Sequence, residues 1–246
     1  MDTGKTEAEF LKAYDASAFA RPNASVDTAI FTVFDDALHV LLVKRAHHPF
    51  QNMWSLVGGF IDTQTDDDLE ATAKRKLHEK TGVKTPYLEQ YATIGNKQRD
   101  PRCWSLTTVY FALLPRSGIQ LQAGTGATDI KWAKVTNGTI HEKLAFDHKD
   151  ILKGCFQRLR HKVIYTSLPL YLMEAEFTLG ELQRVYEILL DQSVDIKSFR
   201  RRIQSSGMVR ETGTMKSSGR RPAKVYELAK PHETHYFPRN IEAVNL

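Results

Sequence analysis

Residues 58–83 read GGFIDTQTDDDLEATAKRKLHEKTGV, and no other stretch limits the fold of this chain as tightly. A glycine pair leads into an acidic loop, then a helical period, then a glycine. Gly58 and Gly59 allow a sharp turn or a close backbone approach, because no Cβ intervenes. Asp66, Asp67 and Asp68 stand where a helix N-terminus favours negative charge. Leu69, Ala73 and Leu77 recur every fourth residue, which predicts a helix buried along that stripe. Gly82 supplies its stop.

The flanking sequence predicts a mixed α/β unit over residues 1–160. Residues 7–14 can form a short helix ahead of Pro22. Residues 25–34 (SVDTAIFTVF) and 39–44 (HVLLVK) read as strands joined at Asp35-Asp36. Residues 54–58 form the strand that feeds the glycine pair, and 106–114 and 129–134 read as two more. Residues 147–159 form a helix with Ile151, Leu152, Cys155, Phe156 and Leu159 on its apolar face. No apolar run approaches the roughly 18 residues a membrane span needs. The polar, acidic start MDTGKTEAEF lacks a secretory signal. Cys103 and Cys155 are far apart and fit reduced thiols in a cytoplasmic protein.

A connector at 161–176, containing Pro169, leads to a second unit, so that residues 161–246 form connector and domain together. Thr178 and Glu181 match a capping box, and Leu182, Val185, Tyr186 and Leu189 follow the helical period. After a break at 191–194, Asp195 caps a second helix. Ile196, Phe199 and Ile203 are expected inward, and Lys197, Arg200, Arg201 and Gln204 outward. Gly207 closes it. Residues 208–212 and 224–228 read as strands joined by the loop GTMKSSGRRPA. This is the layout of a winged helix-turn-helix, whose second helix enters the DNA major groove. Charge agrees. The chain carries a net +5, yet residues 196–230 hold ten Lys/Arg against two Glu. A basic block on an otherwise acidic chain suits a polyanion. The DNA-contact candidates are Lys197, Arg200, Arg201 and Gln204 on the helix, with Lys216, Arg220, Arg221 and Lys224 in the wing.

Residues 58–83 resemble the Nudix box, G-x5-E-x7-R-E-U-x-E-E-x-G-U with U aliphatic. Gly59, Arg75, Leu77, Glu79, Gly82 and Val83 match in order. The loop before Arg75 is two residues longer than the motif's, and Thr65 stands at the first Glu. The R-E-U-x-E-E core is spelled RKLHEK, so Lys76 and Lys80 replace acidic positions that in the family hold magnesium. Ammonium groups offer no lone pair to a cation that demands carboxylate and water oxygens. The fold signal survives without the hydrolytic one. His47-His48 and the HETH of residues 232–235 lack zinc-ligand spacing, and no metal site is assigned.

With NKQRDPR at 96–102, LAFDH at 144–148, EFTLGELQRVYEILL, DIKSFRRRI and GRRPAKVYEL, nearly the whole chain resembles the Nudix-related transcriptional regulators of NAD metabolism. The resemblance implies a Nudix-type α/β/α sandwich followed by a winged helix. It also implies a homodimeric repressor on palindromic operator DNA. The effector is ADP-ribose or a related NAD metabolite, a ligand rather than a cofactor, and it releases the DNA. Candidate ligand-binding residues are Gly58, Gly59, Lys76 and Lys80, the guanidinium groups of Arg45, Arg99 and Arg102 as phosphate partners, and Phe50, Trp54 and Phe60 as stacking partners. Core packing explains Trp54 and Phe60 equally well. Asp147 and His148 are carried over from LAFDH without a readable role. The competing readings are a Nudix hydrolase of nucleoside diphosphate derivatives and an RNA-binding or scaffold protein. RKLHEK weighs against the first, and the absence of exposed aromatic pairs for base stacking against the second.

Overall fold

The computed structural model describes residues 6–82, 87–117, 119–218, 221–231 and 233–241. A short capped helix, α1 (Glu7–Ala13), precedes β1 (Asn23–Phe34), the strand on which the main sheet is assembled. Asp35 and Asp36 take φ of 47° and 52° and turn the chain into antiparallel β2 (Ala37–Arg45). Asp tolerates this left-handed region better than most residues, and it suits a two-residue hairpin. The strand expected at 54–58 is split at Leu56. β3 (Trp54–Ser55) pairs with β2, and β4 (Val57–Phe60) pairs with the first half of β1.

Helix α2 (Leu69–Thr81) begins where the Asp68 carboxylate accepts the Ala71 N–H, and it ends at Gly82, whose φ is 68°. β5 (Tyr87–Asn96) pairs with β6 (Ser105–Leu113), which lies parallel to β1, and β7 (Ala127–Lys134) adds to β2. Sequence patterning missed β5. It is an edge strand, only half-buried, and a bulge between Gln90 and Ala92 breaks its alternation. Edge strands carry polar residues on both faces, and this hides their period.

Successive residues of β1 point to opposite faces. Ile30 packs with Val57 and Leu77, and Val26 packs with Ala73, on the α2 face. Ala29 and Phe31 pack with Val109 and Phe111, and with Ile151, Leu152, Cys155 and Leu159 of α3 (His148–Val163), on the other. The result is the expected α/β/α sandwich. Asp27 shares the parity of Ala29 and Phe31, so its carboxylate is directed at the start of α3.

The connector is part of the core. α3 runs to Val163, and a 3-10 turn at Leu168–Leu172 buries all its residues. The expected capping box of Thr178 and Glu181 opens α4 (Leu179–Leu190), and a two-residue strand, β8 (Phe177–Thr178), leads into it. α5 (Ile196–Ser205) is capped by Asp195, with Phe199 and Ile203 buried. Ile196, expected inward, is instead 51% exposed. The loop expected at 213–223 is mostly strand. β9 (Val209–Ser218) and β10 (Arg221–Leu228) pair along their lengths, with a bulge where Gly213 takes a φ of 82°. Ser and Lys in the sequence read as loop, but a hairpin far from the core asks only that backbone groups pair.

One buried cluster runs without a break from Phe31 and Phe111 through Val163, Leu168 and Tyr171 to Tyr186, Phe199 and Ile203. Its last members, Phe237 and Ile241, belong to a returning tail. The N–H groups of Phe237 and Ile241 donate to the carbonyls of Tyr165 and Ile164 at 2.8 and 2.6 Å. The Tyr186 hydroxyl donates to Thr166 O at 2.8 Å beneath it. No helix among the described residues is long and apolar enough to cross a membrane. Phe237→Ala should therefore cost roughly 3 kcal/mol or more, the range for deleting a buried aromatic ring. The urea midpoint of the full chain reads this, and an unchanged midpoint would show that the tail is not part of the core.

Candidate ligand cleft and nucleic-acid interface

A cleft of about 200 Å³ opens where β1, β4 and the start of β6 meet the first turn of α3. Its floor is a buried charged cluster. The Arg99 guanidinium donates to both Asp147 oxygens at 3.1 and 3.2 Å, to Asp27 Oδ2 at 3.3 Å and to Ser105 Oγ at 3.4 Å. The other Asp27 oxygen lies 3.6 Å from His148 Nε2. His148 Nδ1 accepts the Leu56 N–H at 3.0 Å, which leaves the ring proton on Nε2, facing Asp27. Burial pushes the imidazole below its ordinary range, and the Asp27 charge opposes this. Gly58 makes the cluster possible. A Cβ there would lie 2.2 Å from Asp27 Oδ1 and 2.5 Å from Val26 O.

The walls carry more positive than negative charge: Arg45, Lys80, Arg99 and Arg102 against Asp27 and Asp100. Arg45 donates to Pro49 O at 2.8 Å and lies over the Phe146 ring at 4.7 Å. Burial first, and Arg102 second, hold Arg45 below its usual range, a strain that an anion in the cleft would relieve. Arg102 is clamped by Asp100 at 2.7 and 3.0 Å and lies over Phe60 at 5.5 Å. Phe60 itself is 48% exposed at the rim.

Other expected residues stand elsewhere. Phe50 backs Phe146, ring centroids 4.7 Å apart, and Asp147 lies behind Arg99, so neither lines the cleft. Trp54 packs on the core with Lys131 over its ring at 4.4 Å. Gly59 does line the cleft, with the Lys76 stem beneath it. Lys76 does not, and its ammonium pairs with Glu79 at 3.0 Å. Lys80 reaches the cleft, but its ammonium donates to the carbonyls of Ala123 and Thr125, and burial lowers its pKa. Both ammonium groups thus have partners within the fold. Val83 lies outside the described residues.

Magnesium, which the Nudix fold implies, does not fit these donors. Glu79 is bonded to Arg75 and Lys76, and Asp66 is gripped by Arg75 at 2.5 and 2.7 Å. Among the described residues no group of three or more His, Cys, Asp or Glu could hold a metal. Sequence reasoning missed Asp27, Asp100 and Phe146. Asp27 had a signal, as the one charge inside an apolar strand. The loop of Thr125 and Gly126 had none.

On the winged helix, Lys197, Arg200 and Arg201 are exposed and make no ion pair among the described residues. The Gln204 amide donates to the Tyr226 hydroxyl at 3.2 Å, which donates to Glu211 at 3.1 Å and so ties helix to wing. Lys216 pairs with Glu181 at 2.6 Å and Lys224 with Glu211 at 3.0 Å. Arg220 lies outside the described residues, and Arg221 opens β10 opposite Ser218.

The fold and the two surfaces define a Nudix-fold sensor joined to a winged-helix DNA reader, the build of a transcriptional regulator. Residues 24–155 match the NUDIX domain, and residues 169–228 match the NrtR DNA-binding winged helix domain. The chain is 44% identical over 237 residues to the ADPR responsive transcriptional repressor NtrR of Acinetobacter baylyi, covering 96% of this chain and 94% of that one. Shewanella oneidensis NrtR complexed with a 27mer DNA is similar at a TM-score of 0.82 and 41% identity, over 89% of this chain and 99% of that one. The NUDIX domain of Shewanella NrtR complexed with ADP ribose is 44% identical, at a TM-score of 0.59, over 63% of this chain and 99% of that one. The chain belongs to the NrtR family of Nudix-related transcriptional regulators.

The buried His148 generates a pH dependence. Its folded pKa lies below the ordinary value of about 6.5, so the unfolded chain takes up a proton that the folded site refuses. Stability should be fully present above about pH 6.5 and should fall as the pH drops from there toward the folded pKa. His148→Asn retains an acceptor for the Leu56 N–H without titrating. Urea midpoints between about pH 7.5 and 5 should show a shallower decline in this variant. Equal slopes would remove His148 as the cause.

Proposed function

We propose that this protein is a DNA-binding repressor of NAD-metabolism genes, whose Nudix-fold unit binds ADP-ribose or a close relative and thereby releases operator DNA. The division of labour follows the chain: residues 1–160 hold the effector, and 161–246 hold the DNA. The repressor acts as a homodimer on a palindromic operator, because two recognition helices must meet successive major-groove faces about 10 base pairs or a multiple apart. Within the cleft, Arg45, Arg99 and Arg102 face the diphosphate, and Phe60 and Phe146 offer ring faces to adenine. The effector class comes from the relatives, one described as ADPR responsive and one determined with ADP ribose.

The observation that carries this reading is α3. Its first residue, His148, lines the cleft. Near its far end, Arg160 donates to Leu190 O, the last carbonyl of α4, at 2.6 Å. A helix of 16 residues spans about 24 Å at its regular rise. One rigid element thus touches the ligand cleft and the segment from which α5 is suspended. An effector that shifts the first turn of α3 has a mechanical route to the spacing of recognition helices. Interfaces of this kind tend to have discrete arrangements rather than a continuum.

Hydrolysis is not expected, because Asp66 is bonded to Arg75, and Glu79 to Arg75 and Lys76. Incubation with ADP-ribose and magnesium should yield no AMP at ordinary enzyme rates. Steady turnover of about one per second or faster would favour the hydrolase reading instead.

Effector and operator must also oppose each other reciprocally. Coupling of about 1–3 kcal/mol is typical of allosteric proteins, and linkage makes it equal in both directions. Calorimetry of ADP-ribose with and without saturating operator, at fixed salt, should show roughly 5- to 150-fold weaker binding on DNA. Equal affinities would mean that the cleft is not the sensor, however tightly it binds.

A further inference from the structure

Ile196 is the first residue of α5, and it is 51% exposed. Its burial is not needed for the entry of the chain into the helix. Val194 and Phe199, at the two positions of a hydrophobic staple, are both buried in the core. A β-branched residue at the first helical position adds nothing to helix propensity either. At 100° per residue, Ile196 falls between the buried pair Phe199 and Ile203 and the basic face. Ile196, Arg200 and Gln204 form one ridge at spacing four, and Lys197 and Arg201 form the next. The ridge is held in place, because Gln204 is hydrogen-bonded to Tyr226 of the wing.

Single exposed apolar residues are ordinary on a protein surface. This one stands at the N-terminal turn of the helix that enters the major groove, where helix-turn-helix proteins contact base edges. Cations flank it on the solvent side, so the surface that covers it must be polyanionic and must also offer an apolar group. In the major groove the apolar group is the C5-methyl of thymine.

We propose that Ile196 reads a thymine methyl in each operator half-site. The inference rests on the DNA-binding reading above and adds a specificity residue to it. Arginine and lysine on the same helix supply affinity and registration, and Ile196 supplies discrimination that carries no charge. Its contribution is therefore independent of salt, unlike that of a phosphate contact.

The test uses the full chain and a duplex that it selects from a randomised pool. Each thymine of the half-site is then replaced by uracil in turn, symmetrically in both halves. This removes the methyl and preserves every hydrogen-bonding group. One such replacement should weaken the wild-type protein about fourfold per half-site, the worth of one buried methyl-sized group. The same replacement should leave Ile196→Ala unaffected, so that the two changes are not additive. Ile196→Ala should keep the wild-type melting temperature and salt slope, and Ile196→Val should fall between the two. If uracil weakens wild type and Ile196→Ala equally at every position, or if the selected half-site has no thymine, the assignment is overturned. Failure to select any duplex would overturn the DNA-binding reading itself, and the two failures are distinguishable.

Discussion

The guanidinium of Arg99 is buried, and its hydrogen bonds join three separate parts of the chain. Asp27 comes from the middle of β1, Asp147 immediately precedes α3, and Ser105 begins β6. Removing a charge from water costs several kcal/mol, and only close partners offset it. The cluster is therefore tightly determined: loss of Asp147 would remove two of the four guanidinium hydrogen bonds and leave Asp27 as the remaining charged partner. It also sets the floor of the cleft. Asp27 reaches Arg99 and faces His148 only because Gly58 has no Cβ to obstruct it. His148 in turn accepts the Leu56 N–H at the break between β3 and β4. The split strand, the cleft and the orientation of α3 are consequences of one packed set of charges.

The charged side chains of α2 cross-link the helix to its surroundings. Arg75 binds Asp66, whose pKa it drives far below the usual carboxylate range. Lys76 binds Glu79, and Lys80 fastens the loop of Ala123 and Thr125 onto α2. Lys80 thereby closes one wall of the cleft and gives that wall positive charge.

The continuous core bears on how the two units communicate. A solvated linker would let the winged helix reorient at little cost, and nothing in the cleft could bias it. Here the connector is buried, Arg160 holds the end of α4, and the returning tail covers the joint. Arg184 pairs with Asp36 at 2.8 Å across the same joint. The recognition helix is accordingly placed by the Nudix fold rather than hung beside it.

Much of this was legible in the chain, because local chemistry determines it. The capping boxes, the Asp35-Asp36 hairpin, the glycine stop of α2, the apolar stripe of α3 and the basic face of α5 each depend on neighbours a few residues away. Four residues singled out in the sequence, Arg45, Arg99, Arg102 and His148, line one cleft. What the sequence did not determine involves contacts far apart along the chain. β5 is an edge strand whose residues answer to β6 rather than to their own period. The stretch 161–176 looks like a linker, and its burial depends on α4 and on a tail that returns to it from residues 235–241. Lys80 donates to the carbonyls of residues 123 and 125, which lie 43 and 45 positions along the chain. Ile196 fits an apolar stripe by spacing, yet Val194 already occupies the inward position. Periodicity reports which face a residue is on. Only the packed structure decides which neighbour reaches that face first.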